Sequence, residues 1–292
     1  MDNMRQFIGY SMIYSDAQAY CDGAWMPAGA LSCSALNISK EEIAALEEAA
    51  RADVPTLCEK LAGLECVSMC TDVLPEAQAA GVLDDLICFR VYIRHFLNKY
   101  IACAEDTYAA YSRFLSNLDA LTAQLRRSDA LRRTVLPREF SPKISVICVD
   151  GRICERYVFP TLCQLLVYDQ LRALRYDKAA KKCGNCGRFF TPDRKNAGYC
   201  ELPSPDDPTH TCREVGAHKV FVSRHEGSQA YKLCAAACGR IYTRKSRGSL
   251  SADDAAALLT RCMALRDKAA AGEITIEQLG AQLSELTMAK KS

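Results

Sequence analysis

The chain has 292 residues, 49% of them apolar and 25% charged, with a formal net charge of +2. That is the composition of a globular protein with material for one large domain or two smaller ones, and it excludes a low-complexity or fibrous chain. No stretch approaches the roughly 20 apolar residues of a bilayer span. Arg90 and Arg94 interrupt the best candidate, and the N-terminus lacks the pattern of a secretory signal.

The expected compartment is therefore a reducing cytoplasm. There the 17 cysteines stay as thiols or bind metal. Those in apolar surroundings, such as Cys88, Cys103, Cys148 and Cys163, read as small hydrophobic side chains.

In chain order, residues 1–37 show weak periodicity with scattered Gly and Pro and the only tryptophan, Trp25, and read as irregular. Ser39-Lys-Glu-Glu42 is a capping box, which predicts a helix from 40 to about 52. Pro55 can open a second helix at its first turn. Residues 76–134 read as helical throughout, with a break near Ser128-Asp129 or earlier. Leu83, Leu86, Ile87, Val91, Ile93, Phe96, Leu97, Tyr100 and Ile101 are spaced for a helix buried on more than one side.

Beyond Pro137, residues 143–159 alternate as strands about Asp150-Gly151, the dipeptide that a two-residue hairpin turn favours. Pro160 leads into a helix over 161–177. Further helices are expected at 213–224 and 228–246. Ser251 then opens another helical stretch, split at Gly272 into two.

Between these helices Cys183-Gly-Asn-Cys186, Cys200 and Cys212 have the spacing of a closed four-thiolate zinc site. The segment 183–212 holds Gly184, Gly187, Gly198 and prolines at 203, 205 and 208, and few aliphatic residues. It cannot build a core of its own, so a structural Zn2+ is the expected cofactor. Phe189, Phe190 and Tyr199 would pack beneath it. His210 lies close enough in sequence to replace Cys200 or Cys212 as a ligand, although an exposed loop histidine is the expectation. Cys234 and Cys238, one helical turn apart among alanines, read as small buried residues at a helix contact.

The run Cys183-Gly-Asn-Cys-Gly-Arg-Phe-Phe, Tyr199-Cys200 and Cys212-Arg213 resembles the treble-clef-like zinc fingers of bacterial CGNR-type proteins. It is still more similar to an uncharacterised bacterial family that joins such a finger to a helical N-terminal region. Here the fourth cysteine is followed by Arg-Glu-Val, where the CGNR pattern has Gly-Asn-Arg. The resemblance implies a DNA-binding, transcription-regulatory protein.

Charge distribution points the same way. Residues 1–136 carry 12 basic and 18 acidic side chains, whereas 172–247 carry 16 basic and 7 acidic. Arg240, Arg244 and Arg247 share one helix face, with Lys245 and Tyr242 nearby. Arg188, Arg194, Lys195, Arg213 and Lys219 surround the finger. Together they are the candidate contacts to a nucleic-acid backbone, DNA or RNA. The alternative is a protein-interaction protein whose zinc only staples the fold. In that case the basic strip meets an acidic partner or the chain's own N-terminal half.

No phosphate-binding glycine loop, dinucleotide fingerprint, H-E-x-x-H pair or zinc-deaminase signature is present, so no enzyme and no small-molecule substrate is expected. The fold expected is mainly α. It comprises a helical region over 1–136, a β-hairpin plus helix over 137–178, the finger module over 179–226 and C-terminal helices over 227–292.

Overall fold

In the computed structural model, residues 9–21, 23–101, 106–127, 135–225 and 227–288 are described, residues 224 and 225 by backbone alone. The protein is mainly helical, as the sequence predicts, but the stretch read as irregular contains three strands and a helix. In β1 (Tyr10–Ser15), Tyr10, Met12 and Tyr14 are buried while the residues between them are half-buried. β2 (Gln18–Cys21) and β3 (Ala24–Pro27) follow it as an antiparallel meander.

The predicted hairpin forms as β4 (Lys143–Val149) and β5 (Arg152–Phe159). Its turn is Asp150-Gly151, both at positive φ, 50° and 73°, as a two-residue hairpin loop requires. It is not free-standing. β5 pairs antiparallel with β1 from Tyr10↔Phe159 to Tyr14↔Glu155, giving a five-stranded sheet in the order β3-β2-β1-β5-β4. Trp25 ties the hairpin tip to β3: its indole Nε1 donates to Asp150 at 3.1 Å, and the Arg152 guanidinium lies 5.0 Å from its ring.

The chain divides into two units, 1–213 and 214–292. The helices of the first are α1 (Ala30–Asn37), α2 (Lys40–Ala52), α3 (Val54–Ala62), α4 (Glu65–Ser68), α5 (Glu76–Phe96), α6 (Thr107–Ser116), α7 (Leu118–Arg127) and α8 (Leu162–Arg175). The capping box opens α2 as expected, with Ser39 Oγ accepting from the Glu42 amide and Glu42 reaching back to the Ser39 amide. A π turn over Leu97–Ile101 follows α5, so the long helical run breaks well before Ser128-Asp129, which lies outside the described residues. One apolar core runs from β1 through α1, α3, α5 and α8 to Phe189.

Buried charges close helix ends inside this core. Asp169 of α8 is fully buried and accepts from the Gly29 and Ser32 amides at 2.9 and 2.8 Å, at the start of α1, and from the Tyr14 hydroxyl at 3.1 Å. It does from a neighbouring helix what an N-cap side chain does locally. Gly29 is at φ 94°, and a Cβ there would meet Ala173 Cβ at 2.8 Å, so the close approach of α1 to α8 requires glycine. At the other end of α1, Arg90 and Arg94 donate to the carbonyls of Leu36, and Arg90 also to Ala35. The two arginines that break the apolar run in the sequence thus satisfy carbonyls a helix terminus leaves open. Asp85 of α5 accepts the Cys163 amide at 3.1 Å, in the first turn of α8.

In the second unit, α10 (Gln229–Ser246), α11 (Ala252–Ala270) and α12 (Ile276–Met288) pack together. Ala230, Cys234, Ala237 and Ile241 of α10 meet Ala255, Cys262, Leu279 and Leu283. The small side chains on α10 let its neighbours approach closely. Ser251 caps α11 by accepting from the Asp254 amide, and Gly272, at φ 78°, ends it. Among the described residues no helix is long and apolar enough to cross a membrane.

Candidate metal centre

The four cysteines singled out by spacing come together. A short ladder sets up the first pair: β6 (Lys181–Lys182) pairs with β7 (Phe189–Phe190), and the knuckle between them carries Cys183 and Cys186. The turn closes through Gly187 N to Cys183 O at 2.9 Å, with Gly187 at φ 74°. Cys200 arrives from a loop held by Gly184 N to Gly198 O at 2.9 Å. Cys212 is the first residue of α9 (Cys212–His225), its amide bonded to Leu202 O at 2.9 Å.

The four Sγ atoms all lie within 4.8 Å of one another, with Cys186 and Cys200 at 3.7 Å. Metal–sulfur bonds of about 2.3 Å in a tetrahedron put neighbouring sulfurs roughly 3.8 Å apart, so the arrangement fits a tetrahedral ion. Cys183, Cys200 and Cys212 are buried and Cys186 half-buried. No disulfide joins the described cysteines.

The backbone prepares the sulfurs for a cation. Burial by itself would raise the Cys183 thiol, but amide donors from Cys186, Cys200 and Asn185 bring it down to about 6. The Cys200 amide lies 3.4 Å from that sulfur. Burial leads in holding the Cys186 and Cys200 thiols up. Cys183 therefore offers a thiolate first, and a bound cation would favour ionising the rest. Four protein sulfurs fill a tetrahedron, so such a centre holds structure and leaves no coordination position for substrate.

His210 sits elsewhere in the insert, exposed, with its Nδ1 2.8 Å from Asp207 Oδ2. It is the exposed loop histidine expected, and the gathered donor set consists of sulfurs alone.

Residues 148–292 match a family model described as a family of unknown function (DUF6076). The matched region begins at Cys148, inside β4, and takes in all four metal-site cysteines and helices α9–α12. No curated protein and no solved structure matches the chain. The likeness to CGNR-type fingers remains one of motif.

The predicted basic residues fall into different environments. Arg188, Arg194 and Lys195 are exposed on the metal module. Arg213 is exposed but ion-paired with Glu201 at 2.7 Å. Lys219 is exposed on α9. On α10 and its C-cap, Arg240, Lys245 and Arg247 are exposed, whereas Arg244 is half-buried and donates to Thr287 O at 2.7 Å, holding the end of α12. At 100° per residue, Arg240 and Arg247 share a flank of α10, and Lys245 and Tyr242 lie on another.

Two residues matter to the site that spacing could not find. Asn185, legible only as a turn former, donates to Ser204 Oγ at 2.9 Å and reaches Cys212 Sγ at 3.5 Å, linking the knuckle to the fourth sulfur. Asn37, at the end of α1, holds Phe189 as a strand partner would. Its side chain accepts from the Phe189 amide at 2.6 Å and donates to the Phe189 carbonyl at 2.9 Å.

Proposed function

We propose that this is a non-catalytic protein stapled by a structural zinc ion, which binds nucleic acid through the phosphate backbone in a transcription-regulatory role. The donor set supports zinc: four thiolates in a tetrahedron suit a soft to borderline ion without geometric preference of its own. The regulatory role rests on the motif resemblance to CGNR-type proteins.

The observation that carries nucleic-acid binding is helix α10. Its 18 residues include no acidic side chain, while Lys232, Arg240, Lys245 and the C-cap Arg247 are exposed. Among the described residues, no ion pair joins these four to a carboxylate. Cations on a helix without compensating acids are the footprint of a phosphate-binding surface. Arg188, Arg194 and Lys195 add exposed cations on the metal module, where Asp193, Glu201, Asp206 and Asp207 also lie, so α10 carries the argument. Arg244 and Arg213, tied to Thr287 and Glu201, support local structure in this reading.

The test is fluorescence anisotropy of duplex DNA, single-stranded DNA and RNA with the zinc-loaded protein over a salt series. Binding should weaken steeply with salt. Arg240→Ala and Arg247→Ala should each lower the slope of log affinity against log salt by about one, with zinc content unchanged. Absence of binding at low salt, or an unchanged slope in both variants, would overturn the proposal.

A further inference from the structure

The β4–β5 hairpin leaves the five-stranded sheet with an open side. β4 is the last strand in the order β3-β2-β1-β5-β4, and among the described residues no strand pairs with its outer side. The two-residue Asp150-Gly151 turn makes Val149 and Arg152 a hydrogen-bonded pair, and such pairs alternate along an antiparallel ladder. Val149, Ile147, Ser145 and Lys143 therefore direct their amides and carbonyls to β5, while Ile144, Val146 and Cys148 turn theirs outward. Pro142 and Lys143, residue types that blunt sheet edges, stand only at the start of the strand. Between Pro142 and the turn the edge offers the backbone groups of Ile144, Val146 and Cys148 unprotected.

The side chains of these residues are open as well. Ile144, Val146 and Cys148 lie on the face they share with Ile153 and with Tyr157, which belongs to the main core. Ile144, Val146 and Ile153 are 58%, 71% and 80% exposed, and Cys148 is exposed too. The core side of the sheet thus runs out onto solvent along its last strand. Glu155, the carboxylate on this face, accepts from the Tyr157 hydroxyl at 2.7 Å and from Arg172 at 3.5 Å. A row of outward backbone groups beside aliphatic side chains is the recognition chemistry of another strand.

We propose that this strand is supplied by a second copy of the chain, joined β4 to β4 about a two-fold axis at Val146. The strand is its own complement. In an antiparallel pair centred on Val146, Ile144 stands opposite the second copy's Cys148, and Val146 opposite the second copy's Val146. Every outward residue then exchanges hydrogen bonds with another outward residue. Moving the axis by one residue sets Cys148 opposite Pro142, or Ile144 opposite the Asp150 turn, and loses bonds either way. On the other face Lys143 stands opposite the second copy's Val149 and beside its Asp150, so opposite charges meet at both ends and no like charges face each other. The two sheets become one, their exposed aliphatic strips lying side by side. Val146 meets its counterpart across the axis, whereas Ile153, on β5, does not reach the interface.

The experiment is sedimentation velocity of the full-length, zinc-loaded protein over a concentration series, under reductant so that Cys148 forms no disulfide. A monomer–dimer equilibrium is expected. Hydrogen exchange at low and high concentration should show the amides of Ile144, Val146 and Cys148 gaining protection as the dimer forms. Those of Ser145 and Ile147, bonded to β5, should exchange slowly at both. Val146→Lys sets two ammonium groups opposite each other and should weaken the dimer about tenfold or more. Val146→Pro removes an amide that faces away from β5, a position where an edge strand accepts proline, and should abolish the dimer. Ile153→Lys should leave it intact. All three variants should keep their zinc and helical circular dichroism. A monomer at every concentration, a dimer that survives both Val146 variants, or a dimer lost in Ile153→Lys, the sign of face-to-face packing instead, would overturn the proposal.

Discussion

Replacing Cys183 with serine removes one sulfur of the metal centre and keeps a side chain of similar shape. Its shorter Cβ–O bond also draws the acceptor back from the Cys200 amide, which donates to the sulfur from 3.4 Å. Little else stabilises the module. The cluster around the sulfurs holds only Cys186, Phe190 and Tyr199 as further apolar packing, each half-buried. Half-burying two such rings is worth about 1 kcal/mol apiece, against on the order of 10 kcal/mol for zinc binding coupled to folding. The metal term dominates several-fold, so, with zinc as the proposed ion, Cys183→Ser should lose it and open residues 183–212. Phe189, which belongs to the main core, should loosen with its module and lower the stability of the first unit by about 2 kcal/mol. Elemental analysis reads the zinc, and thermal unfolding reads the stability. Timed trypsin digestion reads the opening, because Arg188, Arg194 and Lys195 are exposed cleavage sites within the module. A full equivalent of zinc in the variant, or unchanged digestion at those sites, would refute the ligand set.

Two further outcomes follow from the buried carboxylates. Burial, with a contribution from Asp84, raises Asp85 to about 6, whereas an unfolded aspartate titrates near 3.9. Between those values the folded chain holds a proton that the unfolded chain has lost, so stability should fall by about 3 kcal/mol as pH rises from about 4 to about 6 and be flat above. Asp85→Asn should remove that slope in denaturant titrations run at several pH values, and an unchanged slope would place the titration elsewhere. Asp169→Ala strands the Gly29 and Ser32 amides and the Tyr14 hydroxyl in the core and should cost roughly 3–5 kcal/mol. A loss under 1 kcal/mol in urea unfolding would show that those donors find other partners.

Local signals were readable and distant ones were not. The Ser39–Glu42 box, the Asp150-Gly151 turn and the cysteine spacing each act over a few residues, and each forms as their chemistry dictates. The N-terminal strands escaped although β1–β2 and β2–β3 pair locally, because the strands are short and the other edge of β1 finds its partner in β5, some 145 residues onward. Ile13 on its half-buried face also blurs the alternation of Tyr10, Met12 and Tyr14. Asn37, Asp85 and Asp169 look like ordinary polar residues in sequence. Their roles exist only where a distant helix end or strand presents unpaired backbone groups.

The pairing of β1 with β5 also sets a timetable for synthesis. One side of β1 has no hydrogen-bonding partner until the ribosome has released residues up to Phe159. At typical elongation rates that is a wait of roughly 7–30 s. Throughout it Tyr10, Met12 and Tyr14 lack the β5 side of their final packing, and the nascent chain must be kept from pairing that edge with another. The region of family similarity begins at Cys148, on the far side of this wait. A shortened chain starting there would expose the β5 edge that β1 covers, so the boundary drawn by sequence likeness is a poor place to cut the protein.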